Sequence, residues 1–456
     1  MPTSFDPPVI KAIEWPERID PNDDFQQAYQ LIEEGTPFLY ITGKAGTGKS
    51  TLIQCLKSMI QKPYAVVAPT GVAALNAGGQ TIHSFFRFRP GPLVLKDIKP
   101  LRHRAVYKNL QLLFIDEISM VRADMLDAIE HFLHLNGPHP HLPFGGVQIV
   151  AVGDLFQLPP IISDPEEMRM FAEEYETEYF FSAHCLRQEP LVAIELKTIY
   201  RQKENAFIHL LNHIREGTEL EQVVEDLNIA CCDDDPFPNA ITLCSTNAIA
   251  DQINTEQMQK LPGTSHRYLG ELSGDFSLNR NLPSPTELEL KVNAQVMMTR
   301  NDPDKRWVNG TLGIIKALGN KQITVEIISE EKPVRIDVTR TSWESVRYAF
   351  DEKARQMKTE VIGAYKQFPL IPAWAITIHK SQGKTLDRVK IHLGAKAFAD
   401  GQVYVALSRC RSLENVRLLR PLRVDEIRIN RRAKQFNNRL FNKGSIDNEF
   451  DSPAWD

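Results

Sequence analysis

The 456-residue chain has little of what marks several large protein classes. It holds six cysteines, Cys55, Cys185, Cys231, Cys232, Cys244 and Cys410, and none forms a C-x-x-C pair. A disulfide framework and a paired-cysteine redox or zinc motif are excluded, and a reducing compartment fits. No apolar run approaches the roughly twenty residues that cross a bilayer. The opening stretch MPTSFDPPVIKAIEWPERID has early acids and prolines. It has neither the charged-then-apolar plan of a secretory signal nor the Arg/Ser-rich, acid-poor plan of a transit peptide. There is no internal repeat and no low-complexity tract. Strong charge of one sign is also missing. The net charge is only −5, so a nucleic-acid surface has to be a local patch. One patch is visible: residues 376–439 carry fifteen Lys/Arg against five Asp/Glu.

What is present begins with GKAGTGKST at 43–51. FLYIT (38–42) before it reads as a buried strand, and STLIQCLKSMI (50–60) after it has helical spacing at Leu52, Ile53, Leu56 and Met59. Strand, glycine loop and helix are the context in which such a loop cradles phosphates. Backbone N–H groups of Gly43, Ala45, Gly46, Thr47 and Gly48 wrap the phosphates, and the helix start at Lys49, Ser50 and Thr51 adds partial positive charge. Lys49 is placed to reach the β- and γ-phosphates of ATP, and the Ser50 hydroxyl to ligate Mg2+. LLFIDEISM (112–120) is an apolar strand ending in two acids. Asp116 suits the magnesium shell, and Glu117 suits the activation of an attacking water. VQIVAVGD (147–154) runs into LFQLPP, where Gln157 can reach a γ-phosphate or that water. All three strands end at the carboxyl edge of a parallel sheet, where such sheets bind ligands.

Further stretches join these: APTGVAALNAGGQTIHSFF (68–86), FGGVQIVAVGDLFQLPP (144–160), IYRQ (199–202), AITIHKSQGKTLDRV (375–389) and VYVALSRCRSLENV (403–416). In this order, and with TGKAGTGKST (42–51) and FIDEISMV (114–121), the set resembles the PIF family of superfamily 1B DNA helicases, in a bacterial-type minimal core, and more distantly the RecD-type helicases. The resemblance spans most of the chain. It implies an α/β fold of two RecA-like P-loop NTPase domains with ATP between them. The expected first domain is 1–190, with a wedge insertion, 1B, at 84–108. The second is 191–456, with an SH3-like insertion, 2B, at about 308–371. Short apolar strands at 240–246, 294–299, 388–393 and 415–420 independently suggest a second parallel sheet.

By the same resemblance Arg201 and Arg409 are arginine fingers, and Gln382 and Gly383 lie close to the nucleotide. Gln26, upstream of the loop, is favoured by spacing over Gln27 and Gln30 as the adenine contact. Strand contacts are expected from Pro69, Thr70, Gly71, His83 and Phe85 in the first domain and from His379, Lys380 and Ser381 in the second. FFRFR (85–89) reads either as a stacking platform or as a half-buried strand. The resemblance further implies a 5′ to 3′ motor on single-stranded DNA and duplex junctions, including G-quadruplex and DNA–RNA hybrids. It implies roles in replication, repair, recombination and, in the family, telomere maintenance. Other readings are a RecD-like recombination subunit, an RNA helicase, and a DNA-stimulated clamp without unwinding. A cytoplasmic monomer is expected, nucleoid-associated or phage-encoded. His131, His134, His139 and His141 read as solvated rather than as a metal site, CCDDD (231–235) as an acidic loop, and DNEFDSPAWD (447–456) as a tail.

Overall fold

Runs of apolar residues without alternation need cover on both faces, and the first sheet provides it. The computed structural model describes residues 22–441 except 90–92, 163–164, 188–190, 233–236, 277–281, 329–333, 355, 395–396 and 398. The acidic tail and most of CCDDD lie outside the described residues. Strands β1 (Phe38–Gly43), β2 (Tyr64–Ala68), β3 (Gln80–Thr81), β4 (Leu112–Asp116), β5 (Gln148–Gly153) and β6 (Leu191–Leu196) form one parallel sheet in the order β3-β2-β4-β5-β1-β6. Leu39, Ile41, Val66, Phe114 and Val150 pack one face against the helices Asp23–Glu33 and Lys49–Met59. Tyr40, Val67, Leu113, Ile149 and Ala151 pack the other against the helix Ala123–Asn136. The expected boundary at 190 moves, because LVAIEL is β6, hydrogen-bonded to β1 along its whole length. The first unit therefore runs through Leu196.

A second unit follows, with the helices Asn205–Glu216 and Leu220–Cys231 packed on its core ahead of its first strand, β7 (Ile241–Cys244). The chain then makes ten strands: β8 (His266–Leu269), β9 (Glu271–Gly274), β10 (Glu287–Leu290), β11 (Gln295–Met298), β12 (Leu312–Leu318), β13 (Gln322–Ile327), β14 (Val334–Thr339), β15 (Thr341–Asp351), β16 (Gln356–Gln367) and β17 (Leu370–Pro372). It returns with β18 (Ala375–Thr377), β19 (Val389–His392) and β20 (Val416–Leu418). The parallel sheet here has the order β18-β7-β19-β20. The inserted strands are antiparallel, in sheets β14-β13-β12-β11-β17, β15-β16-β9 and β10-β8.

Two expectations change. The stretch 294–299 does not belong to the second parallel sheet: it is β11, antiparallel to β12 and β17. The insertion is accordingly larger than 308–371 and spans 266–372. The part of it that fitted the pattern poorly is a long hairpin, β15–β16, which reaches back to the first unit. There Tyr348 Oη accepts a hydrogen bond from Val66 N at 2.9 Å, and its ring stands edge-on to Phe85 at 5.6 Å. The wedge expected at 84–108 starts later, because the helix Ile82–Phe86 belongs to the first core. Its described part holds a 3-10 turn (Leu95–Asp97) and the short helix Ala105–Lys108, with Tyr107 Oη donating to Phe85 O at 2.6 Å. The chain's last described helix, Arg431–Phe441, also crosses back, stacking Phe436 on Phe181 at 4.4 Å.

Candidate active site

The phosphate loop leaves β1 through Gly46 and Gly48, at φ of +85° and +84°, a left-handed backbone that favours glycine. A Cβ on Gly43 would sit 2.6 Å from Thr47 Oγ1, so this position admits no side chain. Lys49 Nζ donates to Gly43 O at 2.6 Å and Lys44 O at 3.1 Å. Burial holds its pKa below the usual lysine range, opposed by the carboxylates of Asp154 and Glu117. Ser50 and Thr51 are exposed in the first turn of the helix Lys49–Met59. Buried Thr47 donates through Oγ1 to Lys44 O at 2.9 Å and so shapes the loop from inside.

Asp116 ends β4, and Glu117 follows at φ +52°, a conformation that costs a non-glycine residue of order 1–3 kcal/mol. Asp116 Oδ1 accepts from Glu117 N at 2.9 Å. Burial raises both carboxyls, and the Glu117 charge raises Asp116 further. A hydroxyl and two carboxylates desolvated by burial are the hard-oxygen donor set that suits magnesium, so Ser50 and Asp116 fit that role.

The second unit closes over this loop. Ala45 N donates to Tyr404 Oη at 2.9 Å, and Gln382 Nε2 donates to Glu117 Oε2 at 3.0 Å. Arg201 backs onto the loop, its Cβ 2.6 Å from where a Cβ on Gly46 would stand. Arg201 Nη1 donates to Ser408 O at 3.1 Å, and Gln202 Nε2 to Ser408 O at 3.1 Å and Cys410 O at 2.9 Å. Arg409 is fully buried; its Nε donates to Val405 O at 2.8 Å and its Nη2 to Ser408 Oγ at 2.7 Å. Burial, then the neighbouring Arg201, push its pKa down to about 9. Gly383 follows at φ +75°, exposed. Lys49, Asp116, Glu117, Arg201, Arg409 and Gln382 are thus brought together around one cleft.

Gln157 also lies there, buried, with Nε2 donating to Asp154 Oδ2 at 3.2 Å. Asp154 itself was quoted at the end of a strand but given no role by sequence reading. Tyr200 and Gln202 were missed too, although both flank Arg201, as was Tyr404, which lies within the stretch VYVALSR. Gln26 is exposed on the helix Asp23–Glu33. Its neighbour Phe25 and the half-exposed Tyr200 ring come nearer the loop: a Cβ on Gly48 would lie 3.4 Å from Phe25 Cζ and 3.6 Å from the Tyr200 ring. Asn22 Nδ2 donates to Tyr200 Oη at 3.0 Å and fixes that ring against the helix start.

The expected strand contacts sit on three threonine-capped helix starts. Thr70 Oγ1 accepts from Ala73 N at 3.2 Å, Thr81 Oγ1 from Ser84 N at 3.2 Å, and Thr377 Oγ1 from Lys380 N at 3.3 Å. Pro69, Thr70, His83 and His379 are half-buried, Lys380 is exposed and Gly71 is buried in the first turn of its helix. Burial lowers the pKa of both histidines, so neutral imidazole is favoured. Two residues do not fit. Phe85 is 3% exposed and packs edge-on to Phe86 and Tyr107, so it is a core ring and FFRFR is no stacking platform. Ser381 is fully buried and donates to Ile378 O at 2.7 Å, which turns its hydroxyl inward.

Comparison with known proteins fits this geometry. The PIF1-like helicase family matches residues 22–225. The ATP-dependent DNA helicase Pif1 of Bdellovibrio bacteriovorus is 31% identical over 402 residues, 86% of each chain. The chain belongs to the PIF1-like helicase family. The rat ATP-dependent DNA helicase PIF1 is 34% identical over 394 residues, 84% of this chain and 58% of its own. This chain therefore spans a little over half the length of that PIF1 relative. Among solved structures, Bacteroides Pif1 in complex with ADP-AlF4 has a TM-score of 0.84 at 34% identity, covering 93% of this chain and 98% of its own. Bacteroides Pif1 bound to ssDNA has a TM-score of 0.66 at 34% identity, covering 93% and 97%.

Proposed function

We propose that the chain is an ATP-driven motor that moves 5′ to 3′ on single-stranded DNA and separates strands at forked duplexes. The observation that carries this reading is the cleft itself: the phosphate loop lies against Arg201, and Glu117 takes the Gln382 amide with the Arg409 charge beside it. ATP fits with its phosphates on the loop amides and Lys49 at the β- and γ-phosphates. Magnesium, held by Ser50 and Asp116 together with the phosphates, would neutralise charge on the transferred group. Glu117 accepts the proton of the attacking water, and the Gln382 amide now bound to it keeps its carboxylate pointed into the cleft. Arg201 and Arg409 offer guanidinium charge to the transferred γ-phosphoryl group as ADP leaves. The Tyr200 ring is an apolar face for the adenine, with Gln26 on the adjoining helix. Because the fingers come from the second unit, hydrolysis is tied to opening and closing of the cleft. Pro69, Thr70, Gly71 and His83 on one unit, and His379 and Lys380 on the other, would grip the strand alternately through its phosphates.

G-quadruplex and DNA–RNA hybrid unwinding, and work in replication, repair and recombination, extend this reading through the family. The test is ATP turnover with no nucleic acid, with single-stranded DNA and with single-stranded RNA. DNA should stimulate most, and Glu117→Gln should cut kcat by about 10²–10⁴ while still binding nucleotide. Turnover indifferent to DNA, or stimulated by RNA alone, would overturn the assignment.

A further inference from the structure

A third arginine reaches the cleft. Arg215 lies on the helix Asn205–Glu216, whose Phe207, Leu211 and Ile214 pack into the core of the second unit. Its guanidinium crosses to the first unit, where Nη2 stands 3.2 Å from Asp154 Oδ1. The two side chains are 3% and 0% exposed. The guanidinium also lies over the Phe156 ring, 4.1 Å from its centroid. Nε is buried with no hydrogen-bond partner, so one carboxylate and one ring define where this charge sits. A buried ion pair of this kind is a poor source of net stability, because desolvation offsets most of its attraction. Its use has to be sought in what it holds.

Asp154 follows Gly153, which is paired in register with Thr42 at the mouth of the phosphate loop. One carboxylate oxygen takes Arg215; the other takes the amide of Gln157, and Phe156 N donates to Oδ1 at 3.2 Å. The loop that carries Gln157 is therefore wrapped around a single carboxylate whose charge is answered by Arg215 from the other unit and, less strongly, by Lys49 from its own. A Cβ on Gly401 of that unit would meet Gln157 O at 2.4 Å, so the same loop is also in backbone contact there.

We propose that Arg215 is a positioning residue for ATP hydrolysis: by pairing with Asp154 across the cleft it sets the Gln157 amide at the γ-phosphate end of the site. Gln157 is then in place only when the second unit is closed. The assignment rests on the reading of the cleft given above. Its prediction is a split between turnover and product affinity, since ADP has no γ-phosphate for Gln157 to meet. Arg215→Gln should lower DNA-stimulated kcat by about ten- to a hundredfold, as for a misplaced reacting group. Its affinity for ADP should stay within about threefold of the parent on the same grounds. Phe156→Leu keeps the cation but removes the ring beneath it. It should lower kcat in the same direction by several-fold and leave ADP affinity alone. Both are measured at a temperature where melting shows the variant folded; if Arg215→Gln does not fold, Phe156→Leu decides by the same criteria. Turnover within twofold of the parent overturns the proposal. So does a parallel loss of turnover and ADP affinity, which marks a merely structural pair. A parent protein with no DNA-stimulated turnover would instead sink the motor reading itself.

Discussion

Lys384 shows at the residue scale how burial sets chemistry. Its Nζ donates to Asn309 Oδ1 at 2.6 Å, it has no ion pair among the described residues, and burial pushes its pKa down to about 8. The unfolded chain keeps this proton up to about pH 10.4. Between those values the unfolded state binds more protons, so stability rises with pH through this window. Lys384→Met removes the effect. Relative to that variant, the parent should gain about 3 kcal/mol between pH 7 and pH 10.5, read from denaturant unfolding. A flat difference would show that the ammonium is solvated. Lys49 offers a sharper case: Lys49→Ala should abolish measurable ATP turnover while leaving the melting temperature within a few degrees. Residues of this kind were legible because a motif prescribes them. The motifs name Lys49, Asp116, Glu117 and, in ALSR, Arg409, and the structure gathers these charges around one cleft. Arg215 was not legible. An arginine on an amphipathic helix reads as a solvated charge, and only the fold shows that it points into a buried carboxylate. Phe85 failed for the opposite reason, since an aromatic run next to arginines has the same pattern whether it faces a base or a core.

At the scale of elements, threonine caps set the starts of the three short helices that the proposed strand grip uses. Thr70, Thr81 and Thr377 each start a helix at a strand end, and each motif holding one was visible in the sequence. The insertion was only half visible. Gln295–Met298 is a four-residue buried run, and such a run looks the same in a parallel sheet and in a small antiparallel one. The long hairpin hid its purpose as well, because its tip packs on the other unit. Tyr348 Oη takes the N–H of Val66, a donor that β3 is too short to reach. Tyr348→Phe leaves that buried N–H without a partner at a cost of about 1–3 kcal/mol. The variant should melt lower and should expose the Val66 amide to hydrogen exchange. Unchanged protection at Val66 would show that the hairpin does not hold the edge of β2.

For the whole molecule, two units, each built on a parallel sheet, meet at a cleft bridged by the Ala45–Tyr404 and Glu117–Gln382 hydrogen bonds, and two aromatic contacts join them elsewhere. Tyr348 reaches the first unit from the insertion, and Phe436 reaches it from the last described helix. Two such units were legible from alternating strands and helices, but the boundary after Leu196 was not, since LVAIEL is an edge strand far in sequence from its partner β1. The motor proposed here turns on this cleft driving directional movement along one DNA strand. The direct measurement is strand separation of duplexes bearing a 5′ tail, a 3′ tail or none, with ATP, for the parent and Lys49→Ala. Unwinding from the 5′ tail alone, lost in the variant, is the predicted result. Unwinding from the 3′ tail, or DNA-stimulated turnover with no strand separation on any of the three, would contradict it.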